Sequence, residues 1–199
     1  MIEIESHPWP PFIPEGARVL IMGTFPPQAK RWSMDFYYPN RTNDFWKVCG
    51  LLFLGDKDAL LSDNKKSYDL DKIKSLMRDK YIALNDTVRK ARRLKGNASD
   101  KFLEVVEPVP LFELLSELPD CKSVATTGEK AAGIVAELTD TDIPKMGEMT
   151  STILSAPEYR INGERLEIWR MPSTSRAYPL PVEQKAEYYA RLFRHLNIL

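Results

Sequence analysis

Four short apolar runs, each stopped by a small or polar turn, recur along the chain with amphipathic stretches between them. They cover residues 18–22 before Gly23, 81–84 before Asn85-Asp86-Thr87, 123–127 before Gly128, and 166–171 before Pro172. Runs this short, with little internal alternation, are the signature of strands buried on both faces of a parallel sheet. The stretches between them read as helices. Residues 69–80 put Leu70, Ile73, Leu76 and Met77 on one face, and 182–196 align Ala186, Tyr189, Phe193 and Leu196 in one stripe. Shorter helices are expected over 112–118, closed by Pro119, and over 129–138 after Gly128. This alternation predicts an α/β fold: a three-layer α/β/α sandwich around a central, mainly parallel four-stranded sheet.

The remaining segments fix the edges of that picture. Residues 1–16 carry Pro8, Pro10, Pro11 and Pro14, so this arm is extended. Thr42 offers a capping hydroxyl to a helix over 43–54. Residues 139–157 show weak periodicity and read as irregular. Asn162-Gly163 is a hairpin signal joining 159–161 to 165–171. At 199 residues, without repeat or linker, the chain is read as a single domain.

Many functions are excluded early. There is no Gly-x-Gly-x-x-Gly, no phosphate-binding Gly-x-x-x-x-Gly-Lys and no Gly-x-Ser-x-Gly. The only histidines are His7, in the arm, and His195, in the last helix, which argues against a histidine base and against a multi-histidine metal site. Cys49 and Cys121 stand far apart and are read as buried thiols. No metal, iron–sulfur cluster or other cofactor is expected. The N-terminus lacks the basic start of a signal peptide and no apolar run is long enough to span a bilayer, so cytoplasmic residence is the expectation. With 28 basic and 28 acidic residues the net charge is zero, so any pull on a polyanion must come from patches. Residues 89–95, Arg-Lys-Ala-Arg-Arg-Leu-Lys, are one such patch. They read either as phosphate contacts or as the solvated end of a helix.

Two segments carry the chemistry. The first is Gly23-Thr24-Phe25-Pro26, followed by Tyr37-Tyr38 and Asn43-Asp44-Phe45-Trp46. The second is Met171-Pro172-Ser173-Thr174-Ser175-Arg176-Ala177. Turns after the carboxyl ends of parallel strands form the ligand crevice of an open sheet. An aromatic-lined crevice beside a hydroxyl-rich loop suits an enzyme that lifts a base out of nucleic acid. In these motifs the chain resembles the uracil-DNA glycosylase superfamily, closest to its hypoxanthine-DNA glycosylase, or mismatch-specific, branch. The resemblance implies hydrolysis of the N-glycosidic bond of hypoxanthine or uracil in DNA, by a monomer in base-excision repair. Pro27 stands where that branch has serine, Thr42 where it has arginine, and Arg176 where it has proline. Phe25 occupies the position of the superfamily's better-known catalytic Asp or Asn.

Carried over residue by residue, the resemblance implies that Asn43 is the catalytic candidate. A carboxamide can hold a water or donate to the departing base, and at a helix start it can equally be a plain cap. Gly23, Thr24, Phe25, Pro26, Tyr38, Phe45 and Asp86 are expected to form the base pocket. Asp86 either orients a pocket group or binds a backbone amide. Pro172, Ser173, Thr174, Ser175 and Arg176 are expected to meet DNA, the hydroxyls through phosphates or as a simple turn, and Arg176 as a wedge or a phosphate contact. Two alternatives stay open: a catalytically weak or inactive nucleic-acid-binding relative of the same fold, and an enzyme acting on a free nucleoside.

Overall fold

The computed structural model describes residues 2–95, 100–159 and 161–199. Among these the chain forms strands β1 (Ile4–Ser6), β2 (Val19–Gly23), β3 (Ile82–Asp86), β4 (Val88–Arg93), β5 (Leu103–Pro108), β6 (Ser123–Thr127), β7 (Met149–Ala156) and β8 (Ile161–Met171). The helices are α1 (Phe45–Leu54), α2 (Leu70–Asp79), α3 (Leu111–Ser116), α4 (Glu129–Thr139) and α5 (Val182–His195). The central sheet has the order β3-β2-β6-β8-β7; its first four strands are parallel and β7 runs antiparallel to β8.

Period-two alternation in β2 builds both outer layers at once. Val19 and Ile21 join the core under α1, α2 and α5, while Leu20 and Met22 join the core under α3 and α4. Asp69 caps α2, its side chain accepting from the Lys72 amide at 3.0 Å. No helix among the described residues is long and apolar enough to cross a membrane.

Four expectations are corrected. The sheet has five strands rather than four, because residues 149–156 of the expected irregular segment form β7. An edge strand needs only one buried face, and here Leu154 and Ala156 are buried while Ile153 is 63% exposed, so no apolar run announces it. Asn162-Gly163 lies inside β8, not at a hairpin turn. The ladder shifts register between Leu154–Glu164 and Ser155–Asn162, so a bulge absorbs the glycine, and the 3-10 turn Pro157–Tyr159 follows β7 instead. The basic tract is not a helix end but β4, the middle strand of a second, antiparallel sheet β1-β4-β5. Ala91 faces inward, and the cations pair across strands: Arg89 and Lys90 with Glu107, Arg92 with Glu104, Arg93 with Glu5. Helix α1 begins at Phe45, two residues later than expected.

From β2 the chain crosses to β3 on one side and later returns to β6 on the other. That reversal leaves a crevice beyond the carboxyl ends of β2 and β6.

Candidate active site

A cleft of about 840 Å³ occupies that crevice. Gly23, Thr24, Phe25 and Pro26 reach it from the turn after β2, Tyr38 and Asn43 from the loop before α1, and Asp86 from the end of β3. Ser173, Thr174, Ser175 and Arg176 face them from the turn after β8. The two motifs, far apart in sequence, therefore share one wall. Two expected residues do not line it. Phe45 is fully buried beneath Tyr38, ring centres 4.0 Å apart and planes 26° apart. Pro172 is buried, its carbonyl accepting from the Tyr189 hydroxyl at 3.1 Å. Both support the wall from behind. Arg31, Lys101 and Thr127 also line the cleft. Arg31 and Lys101 come from short 3-10 turns, whose irregular backbone gave no periodic signal to place them.

Asn43 Oδ1 accepts a hydrogen bond from the Phe45 amide at 2.8 Å, in a turn one residue ahead of Asp44, the N-cap of α1. The expected cap, Thr42, is diverted: its hydroxyl donates to Asn40 Oδ1 at 2.9 Å. Asn43 thus spends its acceptor on the helix, and among the described residues its amide nitrogen has no partner. What it offers the cleft is a donor.

Tyr38 holds a left-handed backbone, φ 51°, that a bulky residue adopts only under constraint. Stacking on Phe45 and a 3.2 Å hydrogen bond between its hydroxyl and Thr127 Oγ1 supply that constraint. Burial pushes the Tyr38 hydroxyl well above its ordinary pKa, and the nearby Asp86 carboxylate pushes it further. It stays protonated.

Asp86 is 7% exposed, and its Oδ2 meets His7 Nε2 at 3.0 Å. Gly23 makes room for it: a Cβ there would stand 2.5 Å from Asp86 Oδ1. His7 stacks on Tyr37 and meets the Phe25 ring edge-on, which ties the proline arm to the pocket floor. Arg93 lies over the other side of this turn, its guanidinium 5.5 Å from the Phe25 ring centre and bonded to the Pro26 carbonyl. Burial disfavours the His7 imidazolium, yet the Asp86 carboxylate and the Trp9 carbonyl outweigh it and raise the pKa above 6.5. A group raised on folding stabilises the protein fully below its unfolded pKa, and loses that contribution as pH rises through the folded value. Urea unfolding from mildly acid to alkaline pH should therefore show wild type losing stability relative to His7→Gln as pH rises. Parallel curves would remove the ion pair from the stability of the fold.

The residue that sequence reasoning missed is Lys185. It is 0% exposed, on α5, with its ammonium 2.8 Å from Asp44 Oδ2 and 3.1 Å from the Ser175 carbonyl. The Asp44 amide in turn donates to the Thr174 carbonyl at 2.8 Å. Burial pushes the Asp44 carboxyl up, but the ammonium groups of Lys185 and Lys47 outweigh it and hold it below the usual carboxylate value. One buried ion pair thus fastens the Asn43 loop to the Ser173–Arg176 loop. A lysine beside an apolar stripe normally signals solvent, so no pattern marked this one.

No protein-family model matches the chain, and no curated protein matches it. Among solved structures it is similar to the solution NMR structure of a candidate uracil DNA glycosylase from Methanosarcina acetivorans. Identity is 19% over 98% of this chain and 99% of that chain, with a TM-score of 0.63. The two chains share one fold. It is the α/β/α arrangement read from the strand–helix alternation, widened by the edge strand β7.

Proposed function

We propose that this chain is a DNA glycosylase of the uracil-DNA glycosylase superfamily, close to the hypoxanthine branch, that hydrolyses the N-glycosidic bond of a deaminated base. The observation that carries this reading is the convergence of Asn43, Phe25 and Tyr38 with the Ser173–Arg176 loop in one cleft at the sheet's switch point. Cleavage leaves negative charge on the departing base and positive charge on the sugar. The free amide of Asn43, at the positive end of α1, donates to the base. Phe25 and Tyr38 offer aromatic faces and edges to a flipped base. Ser173, Thr174 and Ser175 present hydroxyls and amides to phosphates.

The test is excision from duplexes carrying uracil, hypoxanthine, xanthine or mismatched thymine, read by strand breakage in hot alkali. Breakage at uracil or hypoxanthine is expected. Salt-sensitive DNA binding without breakage at any base would assign the chain to the non-catalytic alternative. Loss of DNA binding altogether would point to a free nucleoside.

Arg176 is exposed at the mouth of the cleft. A guanidinium there can fill the hole left by a flipped base, stacking on neighbours and bonding the orphaned partner. Arg176→Ala should then slow excision from duplex about tenfold, the price of an unfilled hole, and barely change it on single strands. Equal losses on both would make it a phosphate contact.

A further inference from the structure

Asp86 has chemistry that the reading above does not use, and the inference that follows rests on that reading. It is the one carboxylate among the described residues lining the cleft. A carboxylate this buried persists only with a partner, and His7 supplies it at Oδ2. The imidazole is itself fixed between Tyr37, Phe25 and the Trp9 carbonyl. Oδ1 has no hydrogen-bond partner among the described residues and lies over Gly23, where the missing Cβ leaves space for it. Asn43 has already given its oxygen to the Phe45 amide, and a neutral carboxamide takes a proton poorly in any case. Phe25 puts no acid in the turn after β2. Asp86 reaches the same cleft from the neighbouring strand.

We propose that Asp86 is the catalytic carboxylate of this site and that His7 is its positioning residue. A water held by Oδ1 attacks C1′ while the C1′–N bond breaks. The bonding pair leaves on the base nitrogen, the water's proton passes to Oδ1, and from there it is delivered through solvent to the base. The products are the free base and a sugar bearing hydroxyl at C1′. The anion also opposes the positive charge that builds on the sugar in the transition state.

The experiment compares wild type, Asp86→Asn, Asp86→Ala and His7→Gln, all full chain, on the duplex of the panel that wild type cleaves fastest. Single-turnover rates are followed across pH, with duplex affinity and melting temperature alongside. The titratable groups facing Asp86 are His7, Tyr37 and Tyr38, and Arg31, Lys101 and Arg176 are cations of the same cleft. Burial holds both tyrosines protonated.

Asp86→Asn should slow excision about 100-fold, with duplex affinity unchanged. Added formate, a free carboxylate, should restore part of the rate to Asp86→Ala, which keeps the question answerable if Asn lowers stability. His7→Gln should cost about tenfold or less, and in the Asp86→Asn background it should cost nothing further, because His7 acts only through the carboxylate it holds. An Asp86→Asn rate within about threefold of wild type overturns the assignment while leaving the glycosylase reading intact, and a full further loss from His7→Gln in the Asp86→Asn background overturns the positioning role of His7. A wild type that excises none of the four bases overturns that reading and this inference with it.

Discussion

Lys185→Met should destabilise the folded state by about 3 kcal/mol in urea unfolding. Methionine matches the lysine stem in length and apolar character, so packing along α5 is nearly kept. What disappears is the ammonium shared by Asp44 and the Ser175 carbonyl. Removing one partner of a buried pair leaves the other desolvated and unpaid, typically at about 3–5 kcal/mol. The lower end applies here because Lys47 still reaches Asp44 Oδ1 at 2.9 Å. Adding Asp44→Asn to Lys185→Met should recover part of the loss, since no lone charge then remains. A single-variant loss under about 1 kcal/mol would show that the pair is not holding the two loops.

Asn43→Ala should reduce excision at least about 100-fold, the usual scale for removing one donor aimed at developing negative charge. It should also cost about 1 kcal/mol of stability, because Oδ1 satisfies the amide of Phe45, the first residue of α1. Asn43→Asp separates the two effects. Aspartate caps a helix as well as asparagine does, so stability should hold. It replaces the amide donor by an acceptor and sets a negative charge against a departing anion, so activity should fall as far as in the alanine variant. An aspartate variant with wild-type rates would confine Asn43 to capping.

The parts of this protein legible in its sequence are those where one local signal has one structural meaning. Buried parallel strands such as Val19–Gly23 declare themselves as unbroken apolar runs, and α2 declares itself through its cap and its stripe. Those runs ended in the turns that now form the cleft. Edge strand β7 stayed hidden because half of it faces solvent, and β4 because Arg-Lys-Ala-Arg-Arg has the charge density of a helix end. Only the pairing with Glu104, Glu107 and Glu5 makes that run a strand, and pairing is nonlocal. The same limit hid the supports of the site. Asp86 could be named from its place after a strand, but His7 reaches it, Lys185 reaches Asp44 and Arg93 reaches Phe25 only across long stretches of chain.

Lys185 and Tyr189 follow both motifs in the chain, and each is bonded to the loop that carries Ser173–Arg176. A ribosome making this protein therefore delivers the aromatic wall and the hydroxyl loop before the helix that clamps them together. The nascent chain carries the described side chains that line the cleft before it carries the helix that joins its two loops, so the Lys185–Asp44 contact can form only after both loops have been made.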